Sequence, residues 1–242
     1  GEGAPSPGGL VGQWIAEIDR NALMIAGGEG ALNPLNNQAI TAPHVTPEGL
    51  NLAELIEKFS YGAIGFSQTA DDYLDDDLEG KGLRSDNLNR DAIYTELEHA
   101  WDEGFGYFGG ARDLPIYTLE EVAGSGGREG YVGAHDSDGD GQIDLNSEYQ
   151  WGTARYAAKR DLAASTRFTE RLFEAFLEGR ALISSANGPL SDAQFSELQG
   201  YRDEVLEAWE GALIASAVHY LNDLLSDLEL GEGLTPTAIA AS

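Results

Sequence analysis

Tyr94-Thr95-Glu96-Leu97-Glu98-His99-Ala100-Trp101-Asp102-Glu103-Gly104-Phe105-Gly106-Tyr107-Phe108 is the stretch that decides how this chain folds. Counted from Ile93 just ahead of it, Leu97, Trp101, Phe105 and Phe108 recur every three or four residues, the spacing of one helix face, and predict a helix over 91–108. The same period runs on both sides of it. It predicts helices from Leu10 to Ile25, from Leu50 to Leu74, from Ser147 to Arg160 and from Thr166 to Ser184. A last long helix runs from Ser191 to Leu228, opened by Ser191 with Asp192 in its first turn. Strand signals are nearly absent, so the expected fold is an all-α bundle of five or six helices carrying one long loop, Gly109 to Asp144. The expected organisation is a flexible segment at 1–9, one helical domain over 10–230 and a flexible tail at 231–242.

That long loop contains Asp136-Ser137-Asp138-Gly139-Asp140-Gly141-Gln142-Ile143-Asp144. A hard cation such as Ca²⁺ takes six to eight oxygens at about 2.3–2.6 Å, and acids at alternate positions of a tight loop supply them. Asp136, Asp138, Asp140 and Asp144 fall at loop positions one, three, five and nine, with the turn glycine, Gly141, at six. Gln142 offers its backbone carbonyl at seven. Position twelve holds Ser147, and the acid expected there, Glu148, comes one residue later at the head of the expected helix. The loop, about 136–148, is therefore expected to bind Ca²⁺ and so fix a segment with little core of its own. The competing reading is a solvated acidic turn.

Composition narrows the partners. A formal net charge of −28 argues against nucleic acid, where Lys and Arg must neutralise phosphates, and equally against anionic lipid. It suits a saline habitat, where screening shortens self-repulsion. The chain has no cysteine, which removes disulfides, thiolate zinc sites and cysteine nucleophiles. A calcium loop of this acidity favours a place outside the cytosol, the periplasm or outer cell surface. The Gly- and Pro-rich start reads as the remnant of a trimmed leader or lipid-anchored tether, with no direct insertion into a membrane expected.

His99 and Glu103 stand four apart on one helix face, continued by Gly106 and Gly110. On the last helix Ala208, Ala212, Ala215 and His219 run behind a bulky apolar face. Packing of these two small-residue faces would gather His99, Glu103 and His219, with Asp102 beside them, into a site for iron, zinc or manganese. The plainer reading is a surface pair between His99 and Glu103. His44 and His135 read as loop residues. The sequence offers no phosphate-cradling glycine loop followed by Lys, no Gly-x-Ser-x-Gly elbow and no His-Glu-x-x-His, so no enzyme is read from it.

The string Tyr94–Gly109 resembles the signature of bacterial lipoproteins related to imelysin, roughly Tyr-Thr-x-x-Glu-His-His-Trp-Asp-Glu-Ala-Phe-Gly-Tyr-Phe-Gly. Leu55–Phe59, the Asp-rich loop ending Ile143-Asp144-Leu145, Ala175–Ile183 and Ala217–Asn222 agree in the same order. The resemblance implies an imelysin-like helical bundle outside the cytoplasm, metal-binding and associated with iron uptake, with His99 and Asp102 or Glu103 as the counterpart of the family's histidine–glutamate motif. Ala100 stands where the family carries the second histidine of its pair. The family pattern also continues past the last helix with a His-containing segment, whereas this sequence closes Leu234 to Ser242, so that segment is expected to be missing or replaced.

Three functions follow as expectations. The first is an extracytoplasmic protein with structural calcium that captures iron or another transition metal, delivering it to a surface uptake partner. The second is a calcium-stabilised surface module for a protein or glycan partner, with no transition-metal site. The third is a metallopeptidase, which needs an open metal position and a general base.

Overall fold

The structure is a computed structural model and describes residues 6–78, 80–88, 93–131 and 133–229. Most of the expected N-terminal segment, the whole expected tail at 231–242, and Asp91 and Ala92 of the expected central helix lie outside the described residues. What is described is helical: α1 (Pro7–Ala26), α2 (Leu52–Ser60), α3 (Glu96–Phe108), α4 (Leu119–Ala123), α5 (Gly152–Ala164), α6 (Phe168–Ser185) and α7 (Asp192–Glu229). Among the described residues β pairing is confined to three isolated bridges, so the all-α expectation holds. None of these helices is long and apolar enough to cross a membrane.

The chain forms two compact units, one of residues 1–63 with 217–242 and one of residues 64–216. In the first, α1 starts earlier than its apolar period suggests, because Ser6 caps it through Gly9 N–H at 3.1 Å and Pro7 follows at the first helical position. Trp14 meets Phe59 of α2 edge-on at 5.9 Å, and Asn21 donates to the Pro43 carbonyl at 3.1 Å. After α2 the helical run that the sequence predicts continues in wide π turns at Tyr61–Phe66 and Thr69–Tyr73.

The second unit is built on α3. Thr95 and Glu98 close a reciprocal cap, with Glu98 N–H on Thr95 Oγ1 at 3.1 Å and Thr95 N–H on Glu98 Oε2 at 2.8 Å. That cap starts the helix at Glu96 and corrects the expected start: Ile93 lies ahead of it, 97 % exposed, and is no part of the buried stripe. Gly109, left-handed at φ 78°, ends it. Leu97, Trp101 and Phe108 then bury with Leu172 and Phe176 of α6 and Val205 and Trp209 of α7. Phe108 lies between Phe176, stacked at 6.2 Å, and Trp209, edge-on at 6.0 Å. On α7 the apolar residues Val205 and Trp209 and the small residues Ala208 and Ala212 are all buried, so this part of the helix is enclosed on both faces.

The expected helix from Ser147 begins five residues late, at Gly152. Trp151 N–H donates to the Gly109 carbonyl at 2.7 Å, which ties residues 147–151 to the end of α3 as a turn. Inside the stretch expected to be irregular, Thr118 and Glu121 form a second reciprocal cap and make the short α4.

Trp101 Nε1 donates to the Phe176 carbonyl at 2.8 Å, and the ring lies over Gly179, where a β-carbon would overlap it. Gly179→Ala is expected to lower stability by about 1–3 kcal/mol through overpacking. Urea denaturation followed by tryptophan fluorescence checks this; an unchanged midpoint would show that the ring has room to move.

Candidate metal-binding loop

The acidic loop folds by satisfying its own backbone with its own carboxylates. Asp136 Oδ1 accepts from Gly139 N–H at 2.6 Å and Asp140 N–H at 3.2 Å, and its Oδ2 from Gly141 N–H at 2.8 Å. Asp138 accepts from Asp140 N–H, Asp140 from Gln142 N–H, and Asp144 from Asn146 and Ser147 N–H. Gly139 and Gly141, at φ 78° and 82°, make the two left-handed corners this requires.

Glu148 closes the loop from the far end. Its Oε1 accepts from Ser137 N–H at 2.5 Å and Ser137 Oγ at 2.8 Å, and its Oε2 from Asp144 N–H at 2.9 Å. Those donors hold its carboxyl below the usual carboxylate range, and the residue is only 2 % exposed. Oxygens of Asp136, Asp138 and Glu148 all lie within 4.8 Å of one another. Two ligands of one Ca²⁺ at about 2.3–2.6 Å from it stand at most about 5 Å apart, so this separation fits that ion and its preference for hard oxygen. The carboxylates of Asp140 and Asp144 are outside this grouping of three.

Asp113 joins from a distance that no local spacing signals. Its Oδ2 lies 2.8 Å from Ser137 Oγ, whose single hydroxyl proton it shares with Glu148 Oε1, and Arg112 Nε sits 2.8 Å from its Oδ1. Arg112 and Ser137 both lower its pKa. Tyr117 donates its hydroxyl to the Glu148 carbonyl at 2.7 Å and fixes the backbone behind the carboxylate. A second acidic grouping, Asp75, Asp76 and Asp77, has its middle member bound by Arg202 at 3.1 Å and by Gln199.

The histidines are placed differently. His99 stacks on Tyr94 at 5.2 Å, and its Nε2 lies 3.6 Å from Glu103 Oε1, with both side chains about half exposed. Asp102 is committed to Arg180 Nε at 2.8 Å. Desolvation raises its pKa, and Arg180 pulls the other way. His219, in the first unit, has Asp223 Oδ2 3.2 Å from its Nε2, again one helical turn away. Of the two glycines expected to continue that face in a packed surface, Gly106 is open, since a β-carbon there would meet nothing within 4 Å, whereas at Gly110 one would crowd the Phe108 and Leu114 side chains. Gly104, two residues before Gly106, also lies close to its neighbours, Leu74 and Thr69. Among the described residues, the groupings of three or more metal-ligating side chains are the two acidic ones.

Glu121 anchors the glycine-rich segment that leads into the loop. It accepts from Arg128 N–H, Nε and Nη2 and from Thr118 N–H, at 2.5–3.0 Å. Its carboxyl is lowered to about 2 from the ordinary 4.5, with the Arg128 hydrogen bond as the largest cause.

Residues 15–121 match the family profile of a domain of unknown function (DUF4856). The match includes the whole Tyr94–Gly109 string and stops ahead of the acidic loop. No curated protein matches the chain, and no solved structure does.

Because Glu121 titrates lower in the folded chain than in the unfolded one, its stabilisation is full above about pH 4.5 and is lost as the pH falls toward 2. Urea midpoints across that window are expected to drop, and less steeply in Glu121→Gln. Equal slopes for the two proteins would remove Glu121 from the acid transition.

Proposed function

We infer that this chain is an extracytoplasmic helical protein whose acidic loop binds Ca²⁺ as a structural ion. The observation that carries the reading is the convergence of Asp136, Asp138 and the buried Glu148 within 4.8 Å. Carboxylates gathered this closely repel one another, and a divalent cation reverses the sign of that term. Arg112, a guanidinium beside the loop, is paired with Asp113. Asp136, Asp138 and Glu148 would hold the ion, and Asp140, Asp144 and the Gln142 carbonyl are near in sequence to complete its shell. The ion supplies no chemistry; it fixes the chain between α4 and α5.

The resemblance to imelysin relatives extends this reading to capture of iron or another transition metal for uptake. His99 with Glu103 is the pair that supports it, accessible and one helical turn apart. The alternative, a calcium-stabilised module for a protein or glycan partner, leaves that pair as surface electrostatics.

Calorimetric titration with CaCl₂ is expected to show one site, and Asp136→Asn or Glu148→Gln to weaken it by about tenfold or more. Saturation at about 100 times Kd stabilises by about 2.7 kcal/mol, read as a rise in Tm. No heat and no rise in Tm would leave a solvated acidic turn.

Elemental analysis of untagged protein after exposure to ferrous iron and zinc separates the two wider readings. Stoichiometric metal that disappears in His99→Ala supports capture. Calcium alone supports the partner-binding module.

A further inference from the structure

The chain holds 42 acidic residues against 14 Lys and Arg, so a guanidinium without a carboxylate is the exception here. Outside α5 and apart from Arg84, every described arginine sits in an ion pair. Arg84 lies against the Asp76 carbonyl and the Phe195 ring. Among the described residues, α5 breaks the pattern: Arg155 has no ion pair or hydrogen bond from its side chain, and Arg160, 8 % exposed, leaves its Nε without an acceptor.

Arg155 is half-buried and lines a cleft of about 470 Å³ with Arg128, Tyr131, Tyr149 and glycines of the 124–133 segment. Among the described residues no carboxylate lines it. Three further clefts on the same unit each include at least one acid. In the apolar cleft beside α3 both arginines are already neutralised, Arg112 by Asp113 and Arg180 by Glu98 and Asp102. Here Arg128 is neutralised by Glu121, and Arg155 remains.

The other walls are donors. Backbone N–H groups of Gly126, Gly127 and Gly130 have no acceptor among the described residues. Tyr131 lines the cleft, and its hydroxyl is buried with no hydrogen-bond partner, where burial pushes its pKa up to about 12. Gly124, left-handed at φ 68°, lies where a β-carbon would overlap the Arg155 guanidinium, so the bare backbone there lets the side chain reach the cleft. A planar guanidinium and free amide N–H groups, with the Glu121 carboxylate behind Gly127 already neutralised by Arg128, form the chemistry that receives an oxyanion.

We propose that the cleft of Arg155, Tyr131 and the glycines Gly124, Gly126, Gly127 and Gly130 binds a tetrahedral oxyanion, a sulfate or phosphate group, either free or carried on a larger ligand. The site is separate from the acidic loop's carboxylates and does not rest on the calcium reading. Arg155 supplies the charge and the bidentate donors, and the glycine amides supply the facing donors.

The test is an amide NMR titration of the full chain with sodium sulfate, against sodium chloride at matched ionic strength, in calcium-containing buffer. Saturable shifts at Gly126, Gly127 and Gly130 are expected. Arg155→Gln should weaken sulfate by about tenfold or more, the scale of a lost charge-assisted hydrogen bond. Arg155→Lys, which keeps the charge and loses the fork, should fall between. Arg20→Gln, on an exposed arginine of the other unit, should change nothing. Phenyl sulfate in place of the inorganic ion identifies the source: tighter binding means an anion carried on a larger ligand, equal or weaker binding a free one. Shifts that fail to saturate, that chloride reproduces, or that persist in both Arg155 variants overturn the site.

Discussion

The indole of Trp101 pressed against Gly179 is the contact on which the larger unit depends. Burying this side chain is worth several kcal/mol of apolar transfer, but only if α3 and α6 come close enough to exclude water. Gly179 permits that approach, and the Nε1–H bond to the Phe176 carbonyl fixes its register. Once α3 and α6 are set, Phe108 has its place between Phe176 and Trp209. The left-handed Gly109 then delivers the chain to the turn that Trp151 N–H closes. The irregular segment between the two helices therefore begins and ends at the rim of the aromatic core.

The second constraint is electrostatic. A chain with a net charge of −28 uses its few cations where burial would otherwise be costly. Arg128 goes to Glu121, which is almost wholly buried, and Arg180 to Glu98, which is 3 % exposed. Breaking such a pair leaves an uncompensated buried charge, which costs more than an exposed pair ever returns. The same economy makes two places stand out. Among the described residues, Glu148 is buried with hydrogen-bond donors around it and no ion pair, and Arg155 makes no ion pair.

How much of this could be read from the sequence depends on the range of the signal. The helices of the core were legible because their period is local, and so was the cap at Ser191, whose Oγ receives Gln194 N–H at 3.4 Å. The start of α3 was misplaced through Ile93, since an apolar residue in phase with a helix is no part of it when a Thr-x-x-Glu cap lies between. The identical pattern at Thr118 and Glu121 was present to be read, and it makes α4 where a loop was expected. The acidic loop was legible as a spacing, and Glu148 does turn in toward Asp136 and Asp138 although it stands one place late. It does so from a turn rather than from a helix. Asp113 and Arg155 were not legible, because their roles come from residues 24 positions away in the first case and from a missing partner in the second. A missing partner leaves no trace in a sequence.

Tyr117 ties the two regions together. Its hydroxyl holds the Glu148 carbonyl, its ring meets Tyr131 edge-on at 6.1 Å, and the Arg128 guanidinium lies 5.6 Å from the ring centre. The backbone that presents Glu148 to the acidic loop is thus braced by the same ring that packs on the wall of the Arg155 cleft. Neither region has a core of its own; each takes its rigidity from Tyr117, 8 % exposed, and through it from the aromatic cluster of α3, α6 and α7. A cation that fixed Glu148 would therefore also stiffen the wall beside Tyr131, because coupling of this kind runs through packed side chains with little freedom to yield.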